Sequence, residues 1–243
     1  MPIEGRARPP RPGRIRAVVT DIDGTLTDVH RRLDPGALIA VRRLEAAGIR
    51  VLLATGNVLP IALALHRSLG LTGPIVAENG GVIFWEEAGS GRVRRLCRRA
   101  PALAAYRRLR RRGFDLQPLF TDRWRISEVA VEATVPVEAL QPHVADLGIR
   151  VEGTGYAIHL MERRGGKLPA LRRALAPLGL TLADCLSAGD GDNDAQMLGA
   201  TGWSVSFRSG SPLARAAARY VARRSYSAGF VEALKASRVL AAT

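Results

Sequence analysis

Residues 15–27 have the sequence I-R-A-V-V-T-D-I-D-G-T-L-T. In this stretch a mostly apolar run, 15–20, is followed directly by two acidic residues and a glycine. The run 15–20 is predicted to form a buried β-strand, because short apolar runs bounded by turn residues are typical of buried strands. Asp21 and Asp23 are two positions apart, so their side chains point to the same side of the extended chain. Gly24 permits a sharp turn after them. The stretch therefore predicts two carboxylates at the carboxyl end of a buried strand.

Strands and helices are predicted to alternate after this first strand. Further strands are predicted at 49–54, 74–77, 82–85, 184–187, 203–207 and 220–222, and helices at 35–47, 59–69, 168–178, 212–218 and 230–240. This alternation is typical of an α/β fold, here a Rossmann-like three-layer core in which helices cover both faces of a parallel sheet. Ligands bind at the carboxyl ends of the strands in such sheets, and the polar clusters of this chain follow strand ends.

The pattern changes from about Glu86, where a segment with its own order of helices and strands begins. Helices are predicted at 100–112 and 137–147, and strands at 124–132, 150–152 and 157–161. We therefore predict an inserted, smaller α/β cap domain over residues 86–161, called the insert below. It separates two core segments, 15–85 and 162–243. Residues 1–14 are basic and rich in proline and glycine, which predicts a disordered basic tail.

Composition narrows the classes of protein that this chain can represent. Hydrophobic residues make up 47% of the 243 residues, which is typical of a globular protein. No apolar run reaches the roughly 18 residues that a membrane span needs, so no membrane partner is expected. The two cysteines, Cys97 and Cys185, have neither a metal-binding spacing nor a disulfide framework. We therefore predict two unpaired thiols and a reducing, cytoplasmic setting.

The formal net charge of +14 raises the alternative of a nucleic-acid-binding protein. All but two of the 36 lysine and arginine residues are arginine, which indicates a compositional bias. Aromatic residues make up only 5% and form no ladder for stacking bases, so nucleic acid is not the partner that we expect. The bias makes the two lysines, Lys167 and Lys235, worth examining.

The segment 189–194, G-D-G-D-N-D, supplies further carboxylates on a glycine-rich turn between a predicted strand and a predicted helix, namely Asp190, Asp192 and Asp194. Together with Asp21 they form an oxygen-only cluster suited to a hard cation, and Mg²⁺ fits best. An EF-hand calcium loop is excluded, because it requires a closing glutamate and residues 197–207 contain no acid.

A predicted anion site follows the second strand, where the chain has Thr55, Gly56 and Asn57. A hydroxyl, a flexible glycine and a helix N-terminus together suit a phosphate group. Capping of the helix by Thr55 or Asn57 is an open alternative. Lys167 precedes a predicted helix and is a candidate point charge for a phosphate, with an ordinary surface lysine as the alternative.

These pieces, in this order, resemble the motifs of the haloacid-dehalogenase-like phosphohydrolases. The motifs are D-I-D-G-T-L-T (21–27), the threonine of T-G-N (Thr55), a single lysine (Lys167) and G-D-G-D-N-D (189–194). The resemblance covers the chain from about residue 15, and Leu168 departs from it where the family often has glycine. An insertion between the second and third motifs is similar to that of the Cof-like subfamily. The stretches D-I-D-G-T-L-T-D, P-I-V-A-E-N-G-G-V-I and G-Y-A-I-H-L look closest to archaeal phosphoglycolate phosphatases.

The resemblance implies a role for each matched residue. Asp21 is expected to attack phosphorus and form an aspartyl-phosphate. Asp23 is expected to act as general acid and then as general base, and to bind Mg²⁺ through its backbone carbonyl. The expected phosphate-binding residues are Thr55, Gly56, Asn57 and Lys167, and the expected metal ligands are Asp21, Asp23, Asp190 and Asp194. The predicted reaction is Mg²⁺-dependent hydrolysis of 2-phosphoglycolate to glycolate and phosphate.

Several alternatives stay open at this point. The substrate could instead be a sugar phosphate or another small phosphomonoester, or phosphate could pass to a sugar hydroxyl. A basic nucleic-acid-binding protein that retains the fold is an alternative of another class. Four basic side chains in or just after the insert could contact the leaving group from the insert's side, and the sequence does not rank them: Arg123, Arg125, His159 and Arg163. A monomer or a homodimer is expected.

Overall fold

The computed structural model describes residues 15–87, 90–154 and 156–239. The predicted tail, residues 1–14, lies outside the described residues. In chain order the strands are β1 (Ala17–Thr20), β2 (Arg50–Ala54), β3 (Ile75–Ala77), β4 (Val82–Glu87), β5 (Ser90–Arg95), β6 (Val129–Glu132), β7 (Ile149–Gly153), β8 (Ala157–Glu162), β9 (Cys185–Ala188), β10 (Trp203–Phe207) and β11 (Tyr220–Ala222).

The helices alternate with these strands. They are α1 (Pro35–Ala46), α2 (Leu59–Leu69), α3 (Arg99–Arg111), α4 (Val137–Leu140), α5 (Lys167–Leu175), α6 (Ala195–Ala200), α7 (Pro212–Ala217) and α8 (Tyr226–Ser237). None of the helices in the described ranges is both long and apolar enough to span a bilayer.

Eight strands form a large sheet in the order β11-β10-β9-β1-β2-β3-β4-β5. The strands from β11 to β3 pair in parallel, and β4 and β5 add an antiparallel hairpin at the edge. The β1 strand lies between β2 and β9, and all four of its residues are buried. Burial on both faces explains why the first three residues of this strand, Ala17, Val18 and Val19, are all apolar and do not alternate with polar residues.

Helices cover both faces of the large sheet, as the alternating side chains of β1 indicate. Val18 belongs to an apolar cluster that includes residues of α1, α2 and α8. Ala17 and Val19 belong to a second cluster, with residues of α5 and α6. Successive residues of a strand face opposite sides of the sheet, so these clusters are its two faces. The predicted three-layer α/β core is therefore confirmed, with a mostly parallel sheet.

A second, smaller sheet has the order β6-β8-β7 and is antiparallel. Helix α3 packs on it through an apolar cluster that contains Ala105, Leu109, Val129 and Leu160. The predicted insert, 86–161, contains this sheet except for the last residue of β8. However, β5 pairs within the large sheet. We therefore propose that the insert begins after Arg95.

Two predicted elements of the insert are shorter in the structure. The helix predicted at 137–147 is an α-helix only over Val137–Leu140, and two 3-10 turns follow it. Pro142 lies in the first of these turns, where its missing N–H interrupts an α-helical ladder. The strand predicted at 124–132 is limited to Val129–Glu132.

Candidate active site

One cavity of about 460 Å³ lies at the carboxyl ends of β1, β2 and β9. All predicted site residues except Lys167 line it, namely Asp21, Asp23, Thr55, Gly56, Asn57, Asp190 and Asp194. Parallel pairing of β1 with both β2 and β9 aligns the ends of the three strands at the same edge of the sheet. The loops that follow the three strands therefore meet there, although they are far apart in sequence.

Lys167 is the first residue of α5, and its side chain contacts the same site. Its Nζ donates to Asp21 Oδ1 at 2.8 Å and to Asp194 Oδ1 at 2.7 Å. The residue is only 2% exposed, so it is not an ordinary surface lysine. The charges of the two carboxylates outweigh the cost of burial and raise the pKa of Lys167, which keeps the ammonium protonated.

Three carboxylates converge beside this lysine. Asp21, Asp190 and Asp194 each offer an oxygen, and these oxygens lie within 4.8 Å of one another. Burial, together with neighbouring carboxylates, raises the pKa of Asp21 well above its ordinary value despite the nearby Lys167. Burial and the charge of Asp194 raise the pKa of Asp190 to about 7. Like charges gathered in this way need a cation or a proton between them, and an all-oxygen donor set suits a hard divalent ion.

Backbone groups and glycines hold the acidic loop in position. Asp194 Oδ2 accepts from the backbone N–H groups of Asp190 and Gly191 at 3.2 and 3.0 Å. Gly24 has φ +80°, and a Cβ there would lie 2.2 Å from Asp190 Oδ2. Only glycine allows the loop after β1 to approach the loop after β9 so closely.

Asp23 lies outside the three-carboxylate cluster and has a different partner. Its Oδ2 accepts a hydrogen bond of 2.6 Å from Asn57 Nδ2. The backbone N–H of Asn57 donates in turn to Thr55 Oγ1 at 3.0 Å. The N-cap of α2 is Val58, so neither Thr55 nor Asn57 caps that helix. This excludes the capping alternative and leaves both polar side chains at the cavity.

The insert supplies a buried network of charged side chains. This network distinguishes between the four basic candidates that the sequence did not rank. Arg125 Nη1 donates to the carbonyl of Gly56 at 2.9 Å and also to Glu128 Oε1. His159 Nδ1 lies 2.9 Å from Glu128 Oε1. Arg125 and His159 line the cavity. The other two candidates, Arg123 and Arg163, are exposed, and Arg123 lies over the rings of Phe120 and Trp124.

The E-N-G-G turn at 78–81 connects this network to the core. Glu78 accepts from the backbone N–H of Ser127 at 2.9 Å, and Asn79 Nδ2 donates to Glu128 Oε2 at 3.2 Å. Asn193 Nδ2 donates to Asn79 Oδ1 at 2.9 Å, which extends the chain of bonds to the acidic loop. From the sequence, this stretch indicated only a resemblance to archaeal phosphoglycolate phosphatases, and its side chains had no predicted role. Positive φ values at Glu78 and Asn79 explain the tight shape of the turn.

The family follows from a sequence comparison. A profile described as haloacid dehalogenase-like hydrolase matches residues 18–101 and 126–234. The chain belongs to the haloacid dehalogenase-like hydrolases. This hydrolase is 35% identical over 221 residues to a phosphoglycolate phosphatase of Methanothermobacter thermautotrophicus, with 91% of this chain and 98% of the relative covered. It is 37% identical over 220 residues to a phosphoglycolate phosphatase of Haloarcula marismortui, with 89% and 95% covered.

Solved structures agree with this assignment. A crystal structure of a Thermoplasma acidophilum protein is 26% identical, has a TM-score of 0.85 and covers 93% of this hydrolase and 99% of its own chain. A sugar phosphatase of haloacid dehalogenase subclass IIB is 17% identical, with a TM-score of 0.75 and coverage of 93% and 100%. The second likeness supports the fold alone. The predicted resemblance to Cof-like hydrolases and archaeal phosphoglycolate phosphatases is thus confirmed.

Proposed function

We propose that this protein hydrolyses 2-phosphoglycolate to glycolate and phosphate, with Mg²⁺ as cofactor and Asp21 as the nucleophile. Its family and relatives make the chain a phosphoric monoester hydrolase. The observation that carries the mechanism is the contact of Asp21 with Lys167, beside Asp190 and Asp194, at the end of β1. Relatives named phosphoglycolate phosphatase, similar over about nine tenths of the chain, support the substrate.

The donor set fits Mg²⁺. Three carboxylates outnumber the one lysine, and their oxygens are the ligands that Mg²⁺ prefers. We assign the ion to the carboxylates of Asp21, Asp190 and Asp194 and to the backbone carbonyl of Asp23. When bound, the ion supplies positive charge that offsets the repulsion between Asp21 and an anionic phosphoryl group.

The side chains divide the remaining chemistry. Asp21 attacks phosphorus and releases the alkoxide of glycolate, leaving an aspartyl-phosphate that water then hydrolyses. Asp23, oriented by Asn57, protonates the leaving oxygen and later takes a proton from the attacking water. Lys167 and the groups of Thr55 and Gly56 stabilise the spread negative charge of the phosphoryl group.

We propose that the insert acts as a cap over this reaction. Its Arg125 and His159 line the cavity together with the core loops, and Arg125 donates to the carbonyl of Gly56. A cap that closes on the core excludes bulk water, so that electrostatic interactions in the site become stronger. It also contacts the leaving group and thereby selects the substrate.

Phosphate release tests this proposal. The panel contains 2-phosphoglycolate, several sugar phosphates and p-nitrophenyl phosphate, each with Mg²⁺ and with EDTA. We expect Mg²⁺-dependent release, led by 2-phosphoglycolate, and loss of at least a thousandfold in Asp21→Asn. Asp194→Asn should also lose activity, whereas Asp192→Asn is the matched control, because Asp192 is exposed on the same loop.

The outcomes separate the parts of the proposal. Release led by a sugar phosphate would keep the mechanism and refute the substrate. Release that persists in Asp21→Asn would refute the nucleophile. Equal release with Mg²⁺ and with EDTA would refute the metal dependence.

A further inference from the structure

We propose that Arg125, oriented by Glu128 and flanked by His159, forms a carboxylate-binding subsite for the leaving group. The proposal rests on the proposed phosphatase function, because it adds the part of the substrate that the phosphate site does not contact. The subsite would select small phosphoesters in which the alcohol part carries a carboxylate. The insert would thereby distinguish an acidic substrate from a neutral sugar phosphate.

Arg125 is a buried cation with unused hydrogen-bond donors. It is 4% exposed, yet it lines the cavity. Its Nη1 donates to Gly56 and Glu128, whereas Nε is buried without a partner and Nη2 makes no hydrogen bond within the described residues. The N–H groups of Nε and Nη2 form the parallel edge of a guanidinium that binds a carboxylate through two bonds. A bound carboxylate would thus satisfy donors that are otherwise costly to bury.

Glu128 holds the subsite without occupying it. It is fully buried, and it accepts from Arg125, from His159 Nδ1 at 2.9 Å and from Asn79 Nδ2 at 3.2 Å. Burial alone would raise the pKa of Glu128, but the nearby charges of His159 and Arg125 lower it below its ordinary value. An ionised Glu128 accepts the hydrogen bond from Nδ1 of His159. Nε2, which has no hydrogen bond within the described residues, is then the ring nitrogen available to a ligand.

The position of Arg125 limits the length of the leaving group. Its guanidinium is bonded to the carbonyl of Gly56, the residue next to the proposed phosphate ligand Thr55. Phosphate and carboxylate must therefore lie only a few bonds apart in any ligand that contacts both. The cavity's other arginine, Arg31, lies over the ring of Tyr156 in the insert, with its Cζ 3.9 Å from the ring centroid. We therefore expect the phosphoester of a two-carbon acid such as glycolate to contact both the phosphate site and Arg125 more readily than that of a longer acid does.

A matched pair of substrates tests the subsite. 2-Phosphoglycolate and its primary amide have nearly the same size, but only the first carries a carboxylate. We expect Arg125→Gln to lower the ratio of kcat/KM for the acid to that for the amide at least tenfold, mainly through KM. Arg125→Lys should recover part of the ratio. Arg123→Gln is the control, since Arg123 is exposed two positions away, and it should leave both values unchanged.

An equal loss on both substrates would overturn the subsite, because Arg125 would then act only by holding the insert on the Gly56 loop. If Arg125→Gln does not fold, the wild-type protein decides. Glycolate should inhibit hydrolysis of p-nitrophenyl phosphate at a concentration at least tenfold lower than glycolamide does. Equal inhibition would refute the proposal.

These results are distinct from a failure of the proposed function. A wild-type protein that prefers sugar phosphates would refute 2-phosphoglycolate as the substrate, whatever Arg125 does. The subsite is judged only by the change in the acid-to-amide ratio and by the preference for glycolate over glycolamide.

Discussion

Replacement of Lys167 by methionine tests the electrostatics of the site most directly. The change removes a buried ammonium that bonds Asp21 and Asp194 at 2.8 and 2.7 Å, and it leaves their carboxylates beside Asp190 without a cation. Loss of one partner of a buried ion pair costs roughly 3–5 kcal/mol. For a chain of this size, that corresponds to a fall in Tm of roughly 10 °C.

The measurement is thermal unfolding of both proteins in EDTA and in excess Mg²⁺. Lys235→Met is the matched control, because Lys235 is the only other lysine and is exposed on α8. We expect Lys167→Met to be much less stable than this control in EDTA at pH 8. The difference should shrink towards pH 5, because protonation of the carboxylates, whose pKa is raised at Asp21 and Asp190, removes their repulsion.

Mg²⁺ should stabilise Lys167→Met more than it stabilises the wild type, since the ion then offsets negative charge that no lysine balances. Phosphatase activity should nevertheless fall by about a hundredfold or more, because a positive charge on the phosphoryl group is lost. Equal stability of Lys167→Met and Lys235→Met in EDTA would refute the buried ion pair. A smaller effect of Mg²⁺ on the variant than on the wild type would refute the carboxylate cluster as the metal site.

Three further predictions follow from single residues. Asp23→Asn should lower phosphate release by about 10²–10⁴-fold, with Mg²⁺-induced stabilisation retained; loss of that stabilisation would contradict the role as acid and base. Metal-free wild type should lose stability as the pH rises from about 4 to about 7. The pKa of Asp190 is raised from 3.8 to about 7 by folding, so the folded state holds a proton that the unfolded state has already lost. Asp190→Asn should weaken this slope in urea titrations, and an unchanged slope would contradict it. Gly80→Ala should destabilise the fold and reduce activity, because its Cβ would lie 2.1 Å from the carbonyl oxygen of Gly166. Gly113→Ala has the same φ of +90° but open space, so an equal loss there would mean that backbone strain and not the clash is responsible.

Most elements of the core were predictable because their determinants are local. The helix α2 was predicted at its observed bounds, since an apolar pattern leads to Gly70, which adopts the left-handed conformation at the helix end. The strands β10 and β11 were also predicted at their observed bounds. The insert was less predictable, because its short 3-10 turns have no strong periodic pattern.

The antiparallel hairpin of β4 and β5 was not predicted from the sequence. All six residues of β5 are exposed, so no buried face marked it as a strand. Its pairing with β4 depends on backbone hydrogen bonds at the edge of the sheet, which side-chain patterns do not reveal.

The sequence by itself determined the fold class, the order of the motifs and the identity of the acidic and phosphate-binding candidates. These depend on strand ends, glycine turns and residue chemistry, which are properties of short stretches. Which carboxylate each polar side chain contacts was decided by tertiary structure. Lys167 bonds Asp21 across 146 positions, and Asn57 bonds Asp23 across 34.

Tertiary structure likewise decided which basic residue of the insert reaches the cavity. Arg123 and Arg125 are two positions apart and chemically identical, and the sequence offered no reason to prefer either. Arg125 is buried because it bonds the carboxylate of Glu128, just before β6, and the carbonyl of Gly56. Arg123 packs instead on exposed aromatic rings. The physical reason is that a buried cation needs partners, and those partners are assembled only when the insert and the core pack together.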